Sequence, residues 1–292
     1  LFDATPDHAF SFASIAQCAH QLAETEQTLI FLGLLIGFGV KMPVFPLHGW
    51  LPLAHVQAPS PVSILLSGIL LKMGSYGLIR AIDTLPAAAQ AMQTSLFALG
   101  MIGLLYGGLL AWRQSDMKKM IAYSSVSHMG VVLLGISTLN ELGIKGAVLQ
   151  MVAHGLVAGA TFMLVGLLYE RTHTRNINDY GSLIKVTPRF ALLIILAFIG
   201  GVGLPSTAGF VAELHVLIGG FHQWGWIILL LSLGVLITAT YSIRTIKHLY
   251  TGPVRVDMQQ VEDLRPLVML AAGSLIAGML LLGFYPTPLL DL

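Results

Sequence analysis

The chain has 292 residues, 55% of them hydrophobic and 10% charged, with a mean hydropathy of +0.81 and a net charge of +1, a balance far too apolar for a soluble domain. No basic patch stands out from the membrane pattern to suit a nucleic-acid partner. A single cysteine, Cys18, excludes a disulfide within the chain and an iron–sulfur cluster held by several of its own cysteines.

In chain order, the opening lacks both a methionine and the basic-then-apolar signature of a signal peptide, and the chain is expected to be the C-terminal part of something longer. A window of about 20 residues, the length that crosses a bilayer, then predicts eight spans, near 28–53, 61–80, 92–112, 119–138, 144–169, 189–220, 224–247 and 264–285. The first is cut within Lys41-Met-Pro43-Val-Phe-Pro46-Leu-His48-Gly49-Trp50-Leu-Pro52. The sixth, too long for one straight crossing, is cut within Gly200-Gly-Val-Gly203-Leu-Pro205-Ser-Thr-Ala-Gly209-Phe-Val-Ala-Glu213. Broken membrane helices need a protein-lined or watery cavity around the freed backbone, and paired breaks in two halves of a bundle point to an ion pathway. Short polar connectors such as Asp83-Thr-Leu-Pro86 separate the spans.

Charge orients the bundle. Eleven of the fifteen Lys and Arg residues (Arg113, Lys118, Lys119; Arg171, Arg175, Lys185, Arg189; Arg244, Lys247, Arg255, Arg265) fall on alternate connections, and only Arg80 and Lys145 on the opposite set. By the positive-inside rule the first set faces the cytoplasm or matrix. The remaining two, Lys41 and Lys72, sit inside spans.

At about 1.5 Å per helical residue, Lys72 lies about 12 Å below Arg80, His154 about 13 Å from Lys145, His128 about 13 Å from Lys119, and Glu213 at most about 16 Å from Trp224. With Lys41 from the first broken helix, five ionisable groups are expected at mid-membrane depth, a row running in the membrane plane. Such a row suits protons. Burial disfavours a charged amine and a nearby carboxylate restores it, so a lysine between opposing influences exchanges its proton when a neighbour's charge changes. Histidine titrates near neutrality, and Glu213 would stand at the end of the row. Each residue has a plainer reading. His128 and His154 could form interhelical hydrogen bonds that only pack the bundle, Lys41 and Lys72 could snorkel, and Glu213 could sit in a structural ion pair. His48 and His55 flank the first break and read as capping or packing groups; His173 lies in a connector, and His215, two residues from Glu213, points to another helix face. No cysteine or carboxylate cluster accompanies the histidines to suggest zinc.

Four motifs then carry a family resemblance. Val40 to Pro52, Leu70-Leu-Lys72-Met-Gly-Ser-Tyr76-Gly-Leu-Ile-Arg80, Ile121-Ala-Tyr-Ser-Ser-Val-Ser-His128-Met-Gly130 and Tyr169-Glu-Arg-Thr-His-Thr174, with Gly283-Phe-Tyr-Pro286 near the end, together resemble the antiporter-like proton-pumping subunits of respiratory complex I. The likeness is greatest to the M-subunit branch of bacterial NADH:quinone oxidoreductase, the counterpart of mitochondrial NADH dehydrogenase subunit 4. The resemblance implies an all-α membrane protein, a polytopic helix bundle of inverted five-helix repeats in which this chain supplies the C-terminal eight of about fourteen helices. It implies an extramembrane loop over 1–27, the last two helices of the first repeat over 28–91, the second repeat over 92–250, and a cytoplasmic linker with the final transmembrane helix over 251–292. Lys41, Lys72, His128, His154 and Glu213 match the family's proton-relay positions, and Lys41 would pair with a glutamate on a helix this chain does not contain. Where the family commonly has aspartate after Trp-Leu-Pro, this sequence has Leu53, which puts a role for that turn in proton uptake in doubt.

The function so implied is proton translocation through this relay, coupled to quinone reduction elsewhere in the complex, with no redox centre or cofactor in this chain. FMN, iron–sulfur clusters and quinone would belong to partner subunits. The implied partners are other membrane-arm subunits, sister antiporter-like subunits among them, the lipid bilayer and protons; the location is a bacterial inner membrane or an equivalent energy-transducing membrane. The alternatives are a Mrp-type sodium/proton antiporter subunit, the related subunit of a membrane-bound hydrogenase or photosynthetic ferredoxin:quinone complex, and a structural spacer that conducts nothing.

Overall fold

The computed structural model describes residues 12–19 and 21–291; residues 1–11, the first part of the segment expected as a loop over 1–27, lie outside the described residues. Within that segment the chain forms α1 (Phe12–Ala19), and α2 (Glu24–Lys41) starts earlier than hydropathy predicts. Two acidic residues explain the early start. Glu24 and Glu26 sit in the first turn, where the helix dipole favours negative charge, and Glu26 accepts from the Ala23 amide at 3.1 Å. At the first break α2 stops at Lys41, and α3 (Trp50–Gln57) resumes after the proline-rich turn. Pro43 and Pro46 remove backbone donors there, and the Trp50 indole satisfies one freed carbonyl by donating to Val40 O at 2.9 Å.

The second span is α4 (Ser60–Leu65) and α5 (Leu71–Thr84), joined by a π-helical turn over Leu66–Leu70. After the short α6 (Pro86–Ala91) come α7 (Gln93–Arg113), α8 (Met117–Ser137) and α9 (Glu141–Thr172). Side chains open both of the last two: Asp116 accepts from the Lys118 and Lys119 amides at 2.8 and 2.9 Å, and Asn140 from the Gly143 amide at 2.9 Å. Glycine lets α7 and α8 touch backbone to backbone; a Cβ on Gly130 would lie 2.4 Å from Leu104 N. Buried side chains run the length of α8, and it forms the bundle's centre with α9 packed along it.

The sixth span is α10 (Pro188–Val202) and α11 (Ala208–Trp224). Gly203 stops α10 in the left-handed conformation (φ 74°), and Thr207 opens α11 by accepting from Phe210 N. A 3-10 turn over Gly225–Leu230 leads to α12 (Leu231–Tyr250), followed by α13 (Pro266–Phe284) and α14 (Thr287–Leu290). Among the described residues six helical stretches are long and apolar enough to cross a membrane, and one of them, Ala208–Tyr250, contains both α11 and α12. The outward faces carry large apolar side chains, among them Leu267, Leu270 and Leu281 on α13, all more than two-thirds exposed. The chain is an all-α integral membrane protein.

Much of the basic charge ties the connections together at one end. Arg244 donates to Trp112 O and Gln114 O at 2.5 and 2.6 Å, and Arg175 to Val56 O at 3.2 Å. The Ser115–Met117 and Arg175–Ile177 strands of chain pair through two backbone hydrogen bonds of 2.9 Å. In the same connection the Tyr180 hydroxyl donates to Thr174 O at 2.7 Å and meets Thr172 Oγ1 at 2.8 Å. Burial pushes that phenol up to about 12.

Candidate functional site

The candidate site begins at the π-turn in the second span. Widening the helix there redirects the Ser67 carbonyl from its usual helical partner, and the Lys72 ammonium donates to it. Lys72 Nζ also meets His154 Nδ1 at 2.6 Å, joining α5 to α9. An ammonium and an imidazolium offer only donors, so a hydrogen bond between them requires that one nitrogen be unprotonated. The pair holds one proton on this axis and can shift it between nitrogens. An apolar groove of about 520 Å³, floored by Gly68 and Gly155 and bordered by Met151 and Leu275, runs beside the lysine stem. Lys72 itself lines that groove, and its ammonium bonds Ser67 O and His154 Nδ1.

From His154 the polar groups continue inward. Its ring centroid is 5.4 Å from that of His128 on α8, and both rings are buried. Gln150, one turn before His154 on α9, places Nε2 3.3 Å from His128 Nδ1. Glu213 on α11 is buried and lies against the second break: a Cβ on Gly203 would fall 2.8 Å from its Oε2. Two small cavities join these groups. One, of about 10 Å³, is bounded by His128, His154, Gln150, Gly201 and Glu213. The other, of about 20 Å³, is bounded by His128, His154, Ser124, Thr161, Tyr241 and Ser242. Roughly 10–15 Å³ accommodates one water, which needs two to four polar partners. Those partners are present. Gln150 Oε1 borders the first cavity's side, His154 Nε2 and Ser242 Oγ the other, and all three are buried without a hydrogen bond from protein atoms.

The five expected residues therefore separate into a connected set and one outlier. Lys72, His154 and His128 form a line across three helices, and Glu213 shares a cavity with both histidines. Lys41 stands apart. It ends α2 against Gly74, where a glycine Cβ would lie 3.1 Å from the lysine Cβ, and Gly74 is two residues from Lys72, hence on another face of α5. Among the described residues neither Lys41 nor Glu213 takes part in an ion pair; those present are Arg80–Asp83 and Glu141–Lys145, both toward the opposite end from the basic connections. His48 packs between Phe45 and Tyr106, with centroid distances of 5.7 and 5.6 Å, and His215 bonds Val211 O within its own helix. Among the described residues no three His, Cys, Asp or Glu side chains come together as a metal site.

Sequence reasoning missed Gln150, Ser67 and the polar cluster of Ser124, Tyr241 and Ser242. Gln150 was within reach, since its i, i+4 spacing to His154 places both on one helix face. The role of Ser67 depends on a π-turn that no residue type announces.

The family described as "NADH:quinone oxidoreductase/Mrp antiporter, TM" matches residues 5–238. The NADH-quinone oxidoreductase subunit M of Rhodobacter capsulatus is 42% identical over 268 residues, 91% of this chain and 52% of that protein. The chain spans about half the length of this curated relative. A chain of respiratory complex I from Thermus thermophilus with bound NADH superposes with a TM-score of 0.89 at 31% identity, over 98% of this chain and 62% of that one. The Mrp complex from Dietzia sp. shares the fold, with a TM-score of 0.81 at 19% identity over 88% of this chain and 56% of that one.

Proposed function

The chain belongs to the NADH:quinone oxidoreductase/Mrp antiporter membrane family, and from that membership we propose that it translocates protons as the M-type membrane subunit of a complex I-like NADH:quinone oxidoreductase. The observation that carries the reading is the Lys72–His154 contact of 2.6 Å, continued by His128 and by water-sized polar cavities to Glu213. Electron transfer to quinone takes place in partner subunits, which hold FMN and iron–sulfur clusters, and it perturbs charge along the membrane arm. Lys41 receives that perturbation together with an acidic group outside this chain. The proton load then passes through Lys72, His154 and His128, with Glu213 exchanging protons with the far side. In this reading 28–91 contributes the end of one inverted repeat, 92–250 the second, and 251–292 a linker and closing helix, packed among sister subunits in an energy-transducing membrane.

Close positioning of titratable side chains favours protons as the cargo, because Lys72 Nζ meets His154 Nδ1 at 2.6 Å and the His154 and His128 rings lie 5.4 Å apart. The family and the Mrp fold likeness keep a sodium/proton antiporter subunit as the second reading, and co-purification with or without redox subunits separates the two. The direct test replaces Lys72 with Met and Glu213 with Gln in the assembled complex. Vesicles should lose most quinone-coupled proton pumping while the complex remains detectable; pumping at the unmodified level in both variants would overturn the proposed roles.

A further inference from the structure

We propose that the groove beside Lys72 is a phospholipid site. It takes one acyl tail of a lipid whose headgroup carries both a phosphate and a primary ammonium, a phosphatidylethanolamine. The site stands on its own geometry and does not depend on the relay reading.

The groove, of about 520 Å³, follows the second span and α9, and its lining is apolar apart from Lys72 and Tyr76. Gly68, Gly155 and Gly159 keep its floor low. A Cβ on Gly159 would meet Leu275 and Ile64 only in ordinary contact, at 3.6 and 3.8 Å, so a longer side chain there would fill the groove itself. Away from the basic connections the groove runs into a second cavity of about 510 Å³, because Tyr76, Val148 and Met151 border both. Each volume falls within the roughly 300–1,000 Å³ of pockets that hold small ligands.

Charge rims the second cavity. Arg80 and Asp83 come from α5, Glu141 and Lys145 from α9. They stand as two ion pairs, at 3.5 and 2.8 Å, and their charges sum to zero. The Asp83 and Glu141 side chains are 54% and 79% exposed, open to a ligand.

Depth fits a lipid tail. Lys72 lies about 12 Å below Arg80, and the tails of one leaflet reach about 15 Å, half of a hydrocarbon core about 30 Å thick. A tail entering beside Arg80 therefore follows the groove and ends just past the Lys72 stem, which lines it. Tyr76 is 58% exposed and about 6 Å below Arg80, near the ester level where amphipathic aromatic rings collect. At the rim the lipid phosphate would accept from Arg80 and Lys145 while the ammonium donates to Asp83 and Glu141. A purely anionic headgroup would bring its charge up to two carboxylates. A transmembrane helix would cover the glycine floor yet leave the rim charges unanswered.

The experiment uses the whole complex in vesicles and a phosphatidylethanolamine with a photoactivatable diazirine in its tail. Phosphatidylglycerol and phosphatidylcholine with the same tail are compared with it, and labelled peptides are read by mass spectrometry. The ethanolamine probe should label segments 68–76 and 148–159 above the other two. Gly159→Leu should lower that labelling about 10-fold, the effect of excluding two tail methylenes. Asp83→Asn with Glu141→Gln should keep the labelling and abolish the preference over phosphatidylglycerol; should Gly159→Leu not assemble, this pair carries the test. No labelling of these segments in the unmodified complex, as when protein fills the groove, overturns the site. Undiminished labelling in assembled Gly159→Leu overturns the seat of the tail, and equal labelling by the glycerol probe overturns the headgroup. None of these readouts depends on proton pumping, so failure of the relay would leave them unchanged.

Discussion

Gly203→Ala moves Glu213 without touching it. Gly203 has φ 74°, a left-handed conformation that costs an L-residue about 1–2 kcal/mol. The added methyl would lie 2.8 Å from Glu213 Oε2 and 3.3 Å from Cδ, inside the ordinary van der Waals range of 3.4–4 Å. The carboxylate, as the far end of a flexible side chain, must retreat by at least 0.6 Å, the difference between 3.4 and 2.8 Å. That displacement takes it out of register with the 10 Å³ cavity it shares with His128 and Gln150. Misplacement on the ångström scale costs on the order of 10²-fold where a transfer depends on geometry. Proton pumping in vesicles should therefore collapse while the assembled complex is only modestly less stable. Gly201→Ala is the matched control, because its methyl meets only Val157 at 3.6 Å in ordinary contact. Equal and undiminished pumping in both variants would refute the premise that the position of the Glu213 carboxylate matters.

Gln150→Leu keeps the volume but removes the donor to His128 Nδ1 and the acceptor facing the Glu213 cavity, so pumping and its pH profile should change together while assembly persists, read from vesicle acidification across pH. In Gly130→Ala the methyl meets Leu104 N at 2.4 Å, where backbone cannot give way. Helices α7 and α8 should separate at a cost of about 1–3 kcal/mol, seen as reduced amounts of assembled complex on a native gel. Tyr180→Phe removes the hydrogen bonds to Thr174 O and Thr172, and thermal denaturation of the purified complex should reveal a loss of about 1–2 kcal/mol. Since burial raises this phenol to about 12, its contribution is full below pH ~10 and fades as pH rises toward 12, so the gap between mutant and parent should close only in strong alkali.

Hydropathy and breakers are properties of consecutive residues, and for that reason the apolar helical character and both interruptions were readable along the chain, whereas the number of crossings was not: eight spans were expected and six membrane-length stretches stand among the described residues. Pro43 and Pro46 lack amide donors, and Gly203 supplies a conformation other residues resist, so each break follows from local chemistry. The presence of Lys72, His128, His154 and Glu213 deep within apolar segments was equally local information. Which of them touch was not. That depends on helix azimuth and on how closely backbones approach, quantities set by contacts such as Gly130 against Leu104. Tertiary packing alone turned Lys72 onto His154, left Lys41 on another face of α5, and brought the Glu213 carboxylate back against Gly203, ten residues earlier in the chain. It also closed His55, which by its place beside a turn reads as a cap, into an interior slot against Phe162, a residue 107 positions away. One-dimensional pattern decides what must be buried; the crossing of helices decides what is buried together.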